Sequence, residues 1–196
     1  MGQLRILSTV LNSVLNFFYP SFCLHCEIEL NKTGQYLCRD CFALIEFIPA
    51  RLRCSFCYAP KHDRRCFHIK DHHSVFEGQG PILDLYNAYI STNRTKIIAS
   101  LIFTYLANIP NFSINTIIPM DGELLFFKLL PEYRLLKELN LFFGSRLSKV
   151  GPGIREKKVL IFTPILQRAE DVFYFTKRVK FYDPQSIRSL ALIDTR

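Results

Sequence analysis

Residues 158–193 read K-V-L-I-F-T-P-I-L-Q-R-A-E-D-V-F-Y-F-T-K-R-V-K-F-Y-D-P-Q-S-I-R-S-L-A-L-I. The run K-V-L-I-F at 158–162 is short and apolar, which predicts a buried strand. Thr163-Pro164 then reads as an N-cap followed by proline at the first helical position. The helix it opens runs to about 177, with Leu166, Ala169, Val172 and Phe173 turned inward. R-S-L-A-L-I at 188–193 is a second strand. Strand, helix and strand in succession make a βαβ unit, and such units imply a parallel sheet.

The same alternation extends upstream. I-N-T-I-I-P-M at 114–120 is a β-branched strand, and 132–143 carries helical periodicity. Residues 81–90 and 94–108 are two further helices, the second capped by Asn93. Gly151-Pro152-Gly153 is a turn. The pattern begins after a compositional break at Glu77-Gly78-Gln79-Gly80-Pro81. Residues 75–196 are therefore expected to form one α/β domain.

Before the break the chain has a different character. All seven cysteines fall between 23 and 66. Residues 23–41 read C-L-H-C-E-I-E-L-N-K-T-G-Q-Y-L-C-R-D-C, two C-x-x-C pairs around a hairpin-like N-K-T-G. Each pair brings two sulfurs to one ion, so Cys23, Cys26, Cys38 and Cys41 predict a tetrahedral Zn²⁺ site in a zinc ribbon. Cys54, Cys57 and Cys66 offer three ligands for a second site. His62, His68, His72 and His73 compete for its fourth place, with His68 or His72 favoured and His68 taken as the ligand. A crossed pairing of Cys38 and Cys41 with Cys54 and Cys57 is an alternative. The cysteine-rich module is expected over 20–74. Clustered C-x-x-C pairs fit a reducing compartment, hence a cytoplasmic expectation.

Residues 3–18 are apolar but interrupted by polar groups, with Leu4, Leu7, Leu11, Val14, Leu15 and Phe18 on one helical face. They form an expected amphipathic leader helix over 1–19, packed on the rest of the chain. Nothing in the sequence is long and apolar enough to be a transmembrane segment.

The 196 residues are 49% hydrophobic, enough for a packed core, and carry a net charge of +8. Such charge favours anionic partners, nucleic acid first. Arg51, Arg53, Arg64 and Arg65 lie in the cysteine module; Lys157, Lys158, Lys177, Arg178 and Lys180 lie near the C-terminus. Aromatics at 173–175 and 181–182 interleave with the last of these, a composition suited to single-stranded DNA. The competing expectation is that the phenylalanines are core. No P-loop, dinucleotide fingerprint or H-E-x-x-H motif occurs.

Taken together, an amphipathic leader, Y-P-S-F-C-L-H-C, a second and third C-x-x-C, F-E-G-Q-G-P-I-L-D-L, I-I-P, K-V-L-I-F and a terminal L-A-L-I-D-T-R resemble the ComF family. The resemblance implies a zinc ribbon followed by a type I phosphoribosyltransferase-like domain, and a role in competence and DNA uptake. It also implies a phosphoribosyl pyrophosphate loop after K-V-L-I-F, reading roughly V-D-D-V-x-T-T-G-A-T. Here Thr163 and Pro164 stand where the acid pair belongs, and Gln167, Arg168 and Ala169 where Thr-Thr-Gly belongs. Pro164 has no N–H to offer, and no glycine follows Gly153 to let backbone close on an anion. Glu170 and Asp171 would repel a phosphate. The family's arginine-rich stretch after I-x-P-V-P is also missing. The expectation is a scaffold without phosphoribosyl transfer, acting on single-stranded DNA or docking to protein partners of DNA uptake or recombination. The alternatives are an enzyme with a divergent active site and a structural protein-interaction remnant.

Overall fold

The computed structural model describes residues 21–30, 35–45, 54, 71–92, 95–109, 111–125 and 131–195. The short helix α1 (Arg39–Ala43) belongs to the cysteine module. Then come β1 (His72–Glu77), α2 (Ile82–Ser91), α3 (Thr95–Ala107) and β2 (Thr116–Pro119). The chain continues with α4 (Pro131–Phe143), β3 (Arg146–Leu147), β4 (Lys158–Leu166), α5 (Ala169–Lys180) and β5 (Ser186–Asp194).

The five strands form one sheet in the order β1-β5-β4-β2-β3, every pairing parallel. This is the α/β parallel-sheet class that the strand–helix alternation requires. Both faces are covered, which is why the central strands are written as unbroken apolar runs. Val159, Leu160, Ile161 and Phe162 are each no more than 1% exposed. On one face, Leu160, Phe162, Leu190 and Leu192 join α2, α3 and α4 in a single core. On the other, Val159, Ile161 and Ala191 meet α5 through Val172 and Val179.

Element positions follow the periodicities closely, with three differences. β1 opens at His72, three residues upstream of the expected domain start, and pairs with β5 through His72↔Ser189 and His73↔Leu190. Its H-H-S-V-F-E does not read as a strand, because its first half is polar. His72 and Ser74 are satisfied inside the sheet: the His72 ring meets Ser189 Oγ at 2.7 Å and Ser74 Oγ at 3.1 Å, and Ser74 donates to Asp194 at 2.8 Å. The edge strand β3 is only two residues long, below what a sequence pattern can register. The third difference, at the end of β4, bears on function and is taken up below.

α4 ends at Gly144, whose φ of +57° is the left-handed conformation that glycine adopts without cost. Gly78 has a different reason. It donates to the Asp194 carbonyl at 2.7 Å, and a Cβ there would lie 2.4 Å from Thr195 Cγ2. No helix among the described residues is long and apolar enough to cross a membrane.

Candidate functional site

The sulfurs of Cys23, Cys26, Cys38 and Cys41 all lie within 4.8 Å of one another. Local backbone puts them there. Phe22 and Glu29 form an antiparallel bridge around the first pair, with Cys23 N–H bonded to Ile28 O and Glu27 N–H to Cys23 O. Glu27 closes that turn at φ 59°. The second pair starts α1, where Cys38 is the N-cap and its Sγ accepts the Cys41 N–H at 3.4 Å. The Cys38 N–H in turn points at Cys23 Sγ, 3.3 Å away.

The distances distinguish metal ligation from disulfides. A disulfide needs sulfurs about 2.05 Å apart. Four thiolates about 2.3 Å from a central Zn²⁺ stand about 3.8 Å apart along each tetrahedral edge. The Cys26 and Cys38 sulfurs are 3.7 Å apart. An all-thiolate donor set of this size suits a soft or borderline cation, and Zn²⁺ is its ordinary occupant. The thiols are also differentiated. Burial pushes Cys23 up, but the N–H groups of Cys26, Cys38 and His25 outweigh it and bring its pKa down to about 6. Burial and the neighbouring sulfurs push Cys41 far above the ordinary thiol value, and Cys26 is raised as well. One sulfur is thus thiolate-ready while two hold their protons until a cation displaces them.

The centre is joined to the α/β sheet. Cys23, Leu30, Leu37 and Cys41 are buried in the same core as Leu85 of α2. His25, inside the first C-x-x-C, contacts Asp84 at 3.1 Å. Tyr36 donates to Thr92 Oγ1 and packs edge-on against Tyr89. Spacing alone does not reveal these contacts, since His25 and Asp84 are 59 residues apart.

Cys54 is elsewhere. It packs beside Leu166, Val172 and Phe173 on the α5 face of the sheet, whereas the four-cysteine cluster lies on the α2 face. The crossed pairing of Cys38 and Cys41 with Cys54 is therefore excluded by position. Cys57, Cys66 and His68 lie outside the described residues, as do His62, Arg51, Arg53, Arg64, Arg65, the 31–34 turn and the leader. His72 and His73 are buried in β1, and the His72 ring nitrogens face the hydroxyls of Ser189 and Ser74.

At the β4–α5 junction the structure corrects the sequence reading. No helix starts at Thr163. β4 continues through Leu166, paired to β5 by Thr163↔Ala191, Ile165↔Ile193 and Leu166↔Asp194. Pro164 is tolerated because pairing on its own flank has ended. Phe162 accepts from Met120 N–H on the β2 side, β2 stops at Pro119, and backbone groups alternate sides along a strand. Gln167 and Arg168 form the connection, and α5 begins at Ala169 with Arg168 as its N-cap. The Arg168 guanidinium grips Asp171 with both Nε and Nη2, at 3.1 and 2.9 Å. The residues for which the sequence resemblance implies a phosphate loop are thus strand, connection and an internally paired arginine. They stand at the sheet's switch point, where β2 leads away to β3 and β4 to β5, the place where such sheets ordinarily bind ligands.

The basic residues near the C-terminus separate into two groups. Lys177 and Lys180 line a cleft of about 580 Å³ with Asp71, Phe173, Asp183 and Gln185. The Lys157 carbonyl accepts from the N–H of Gln185, one of the lining residues. Arg178 turns away, over the Phe175 ring, and Lys158 is bonded to Ser113. The aromatic residues divide too. Phe173, Phe175 and Tyr182 pack against the core, while Tyr174 and Phe181 are 61% and 84% exposed.

No protein-family model matches this sequence, and no curated protein matches it either. Solved structures of Trypanosoma cruzi hypoxanthine phosphoribosyltransferase are similar at low identity. One is 20% identical over 56% of this chain and 69% of its own, with a TM-score of 0.35. Another, in complex with the product IMP, is 20% identical over 56% of this chain and 64% of its own, with a TM-score of 0.37. A third, from work on the C-terminal region and oligomeric state of that enzyme, is 19% identical over 56% and 66%, with a TM-score of 0.36.

Proposed function

We propose that this chain is a ComF-type cytoplasmic protein that handles single-stranded DNA without phosphoribosyl transfer, built on a zinc-held module. The observation that carries the reading is the contrast along one helix. At the N-terminus of α5, the phosphate-loop position is replaced by paired strand and the Arg168–Asp171 ion pair. At its C-terminus, Lys177 and Lys180 line an open cleft that also holds Phe173, and Phe181, next in sequence after Lys180, is 84% exposed. Cations that follow a phosphate backbone, with a ring on which a base can stack, are the minimal equipment for sequence-tolerant binding of a single strand.

In this reading, residues 20–74 are the zinc ribbon and 75–196 a degenerate phosphoribosyltransferase-like domain. Zn²⁺ on Cys23, Cys26, Cys38 and Cys41 fixes the ribbon, and a second ion is assigned to Cys54, Cys57, Cys66 and His68. Arg51, Arg53, Arg64 and Arg65 extend the DNA path. The test is anisotropy of a labelled oligo-dT titrated with the protein at several salt concentrations. The expected result is binding that weakens with salt. Lys177→Glu and Lys180→Glu should each reduce the log–log slope by about 0.7, the value of one neutralised phosphate on a single strand. Absence of salt-dependent binding at low ionic strength overturns direct DNA binding.

A second reading, a protein-docking remnant, is favoured by the exposed Phe22, Ile28, Phe42 and Leu44 of the cysteine module. It predicts a stable complex with a DNA-processing protein in place of DNA affinity.

A further inference from the structure

The cleft beside the C-terminal half of α5 has two walls of unlike chemistry. Phe173, Lys177 and Lys180 stand at i, i+4 and i+7, so they share one face of α5 and line one side. Asp71, Asp183 and Gln185 line it from outside the helix. Asp71 directly precedes β1 and Gln185 directly precedes β5, and these two strands pair in parallel. The cleft therefore stands at the N-terminal edge of the sheet, the far end from the β4–α5 junction. Among the described residues, none of its lysines is ion-paired to either aspartate. The Lys177 ammonium instead rests over the Phe173 ring, 4.4 Å from its centre, which holds that cation on the helix wall.

The two lysines suit a phosphate backbone, but the two carboxylates do not. A carboxylate repels phosphate, so an acidic wall has no place in a track that holds backbone alone. It fits a ligand whose hydrogen-bond donors lie apart from its phosphate, as they do in a nucleobase. We propose that, within the single-strand binding on which this rests, the cleft is a base-reading pocket that selects guanine. Guanine sets two donors, N1–H and N2–H, side by side, a match for the two oxygens of one carboxylate. Its O6, next to N1, is an acceptor for a lysine. Adenine and cytosine offer an amino group beside a bare ring nitrogen, whose lone pair a carboxylate oxygen repels. Thymine offers one N–H between two carbonyls. The cleft volume, about 580 Å³, is in the range of pockets that enclose small organic ligands.

The test is anisotropy of the full-length chain at one low salt concentration, with labelled oligo-dT strands that carry a single central substitution. A strand with one guanine is expected to bind roughly tenfold tighter than the all-thymine strand, with hypoxanthine, which lacks the 2-amino group, in between. Asp71→Asn and Asp183→Asn together are expected to reverse that order. An Asn amide offers one acceptor and one donor, which suits thymine N3–H and O4 and no longer suits guanine. Both positions have left-handed backbone, at φ 58° and 50°, which Asn adopts as Asp does. Far-ultraviolet dichroism checks that the variant is folded. A purely electrostatic role for the carboxylates would tighten binding of every strand alike and keep the order, and that result overturns the proposal. Equal binding of the guanine and thymine strands by the wild type also overturns it while leaving single-strand binding in place. Failure of every strand to bind removes the single-strand reading and this one with it.

Discussion

In the cysteine module, local devices converge on one centre. Cys38 caps α1 and receives the Cys41 N–H, the Cys38 N–H turns to Cys23, and Glu27 accepts a left-handed backbone to close the first turn. At the β4–α5 junction the local devices turn away from any centre. β4 keeps its ladder to β5 through Leu166, Pro164 withholds a donor, and Arg168 commits its guanidinium to Asp171. Both regions stand where chemistry is expected: one by ligand spacing, the other by the sheet's switch point. The difference teaches that an apolar pattern alone is enough to build the sheet, whereas a binding centre also needs polar groups aimed at one place.

The largest expected effect breaks the first region. Cys38→Ser removes a ligand while its hydroxyl can still cap α1, so the change isolates the metal, and structural zinc supplies about 10–16 kcal/mol in zinc-finger peptides. The expected outcome is loss of bound metal and of hydrogen-exchange protection over 21–45, while β4 and β5 stay protected. The second effect is on pH. Cys26 and Cys41 must each release a proton to bind a cation, so apparent metal affinity falls about tenfold per thiol for each unit the pH drops, or about a hundredfold for the two. Without metal, the depressed Cys23 value contributes stability that is full above its ordinary pKa of 9.0 and is lost as the pH falls to about 6. A competition titration with a chromogenic chelator from pH 6 to 8 measures the first effect, and urea melts of metal-free protein the second.

The second region is tested by titration calorimetry with phosphoribosyl pyrophosphate and Mg²⁺, for which no binding heat is expected. Measurable binding would restore the enzyme reading. Arg168→Ala is expected to cost under about 1 kcal/mol in a urea melt, because the Arg168–Asp171 pair is solvent-exposed. The smallest expected effect is Glu27→Gly. It removes the left-handed strain and changes the melting of the metal-loaded protein by at most about 1 kcal/mol, toward stability.

The legible parts of the chain are those whose physics is local. V-L-I-F and L-A-L-I, buried on both faces, read as central strands, and two C-x-x-C pairs read as the ligands of one ion. β1 is not legible, because His72 and Ser74 are satisfied by Ser189 and Asp194 more than a hundred residues away. The end of β4 reads wrongly as a helix because Thr-Pro is a good helix start in isolation. Only the early end of β2 makes that proline harmless inside a strand. The contacts of the cysteine module with α2 and the cleft at Lys177 are tertiary features, and no spacing rule reports either.

The most direct test is metal content per chain by elemental analysis of the wild type, Cys23→Ser and Cys54→Ser. The account predicts that Cys23→Ser lowers the count by one ion, and that Cys54→Ser leaves that ion in place. An unchanged count in Cys23→Ser, or loss of the same ion in Cys54→Ser, would contradict it.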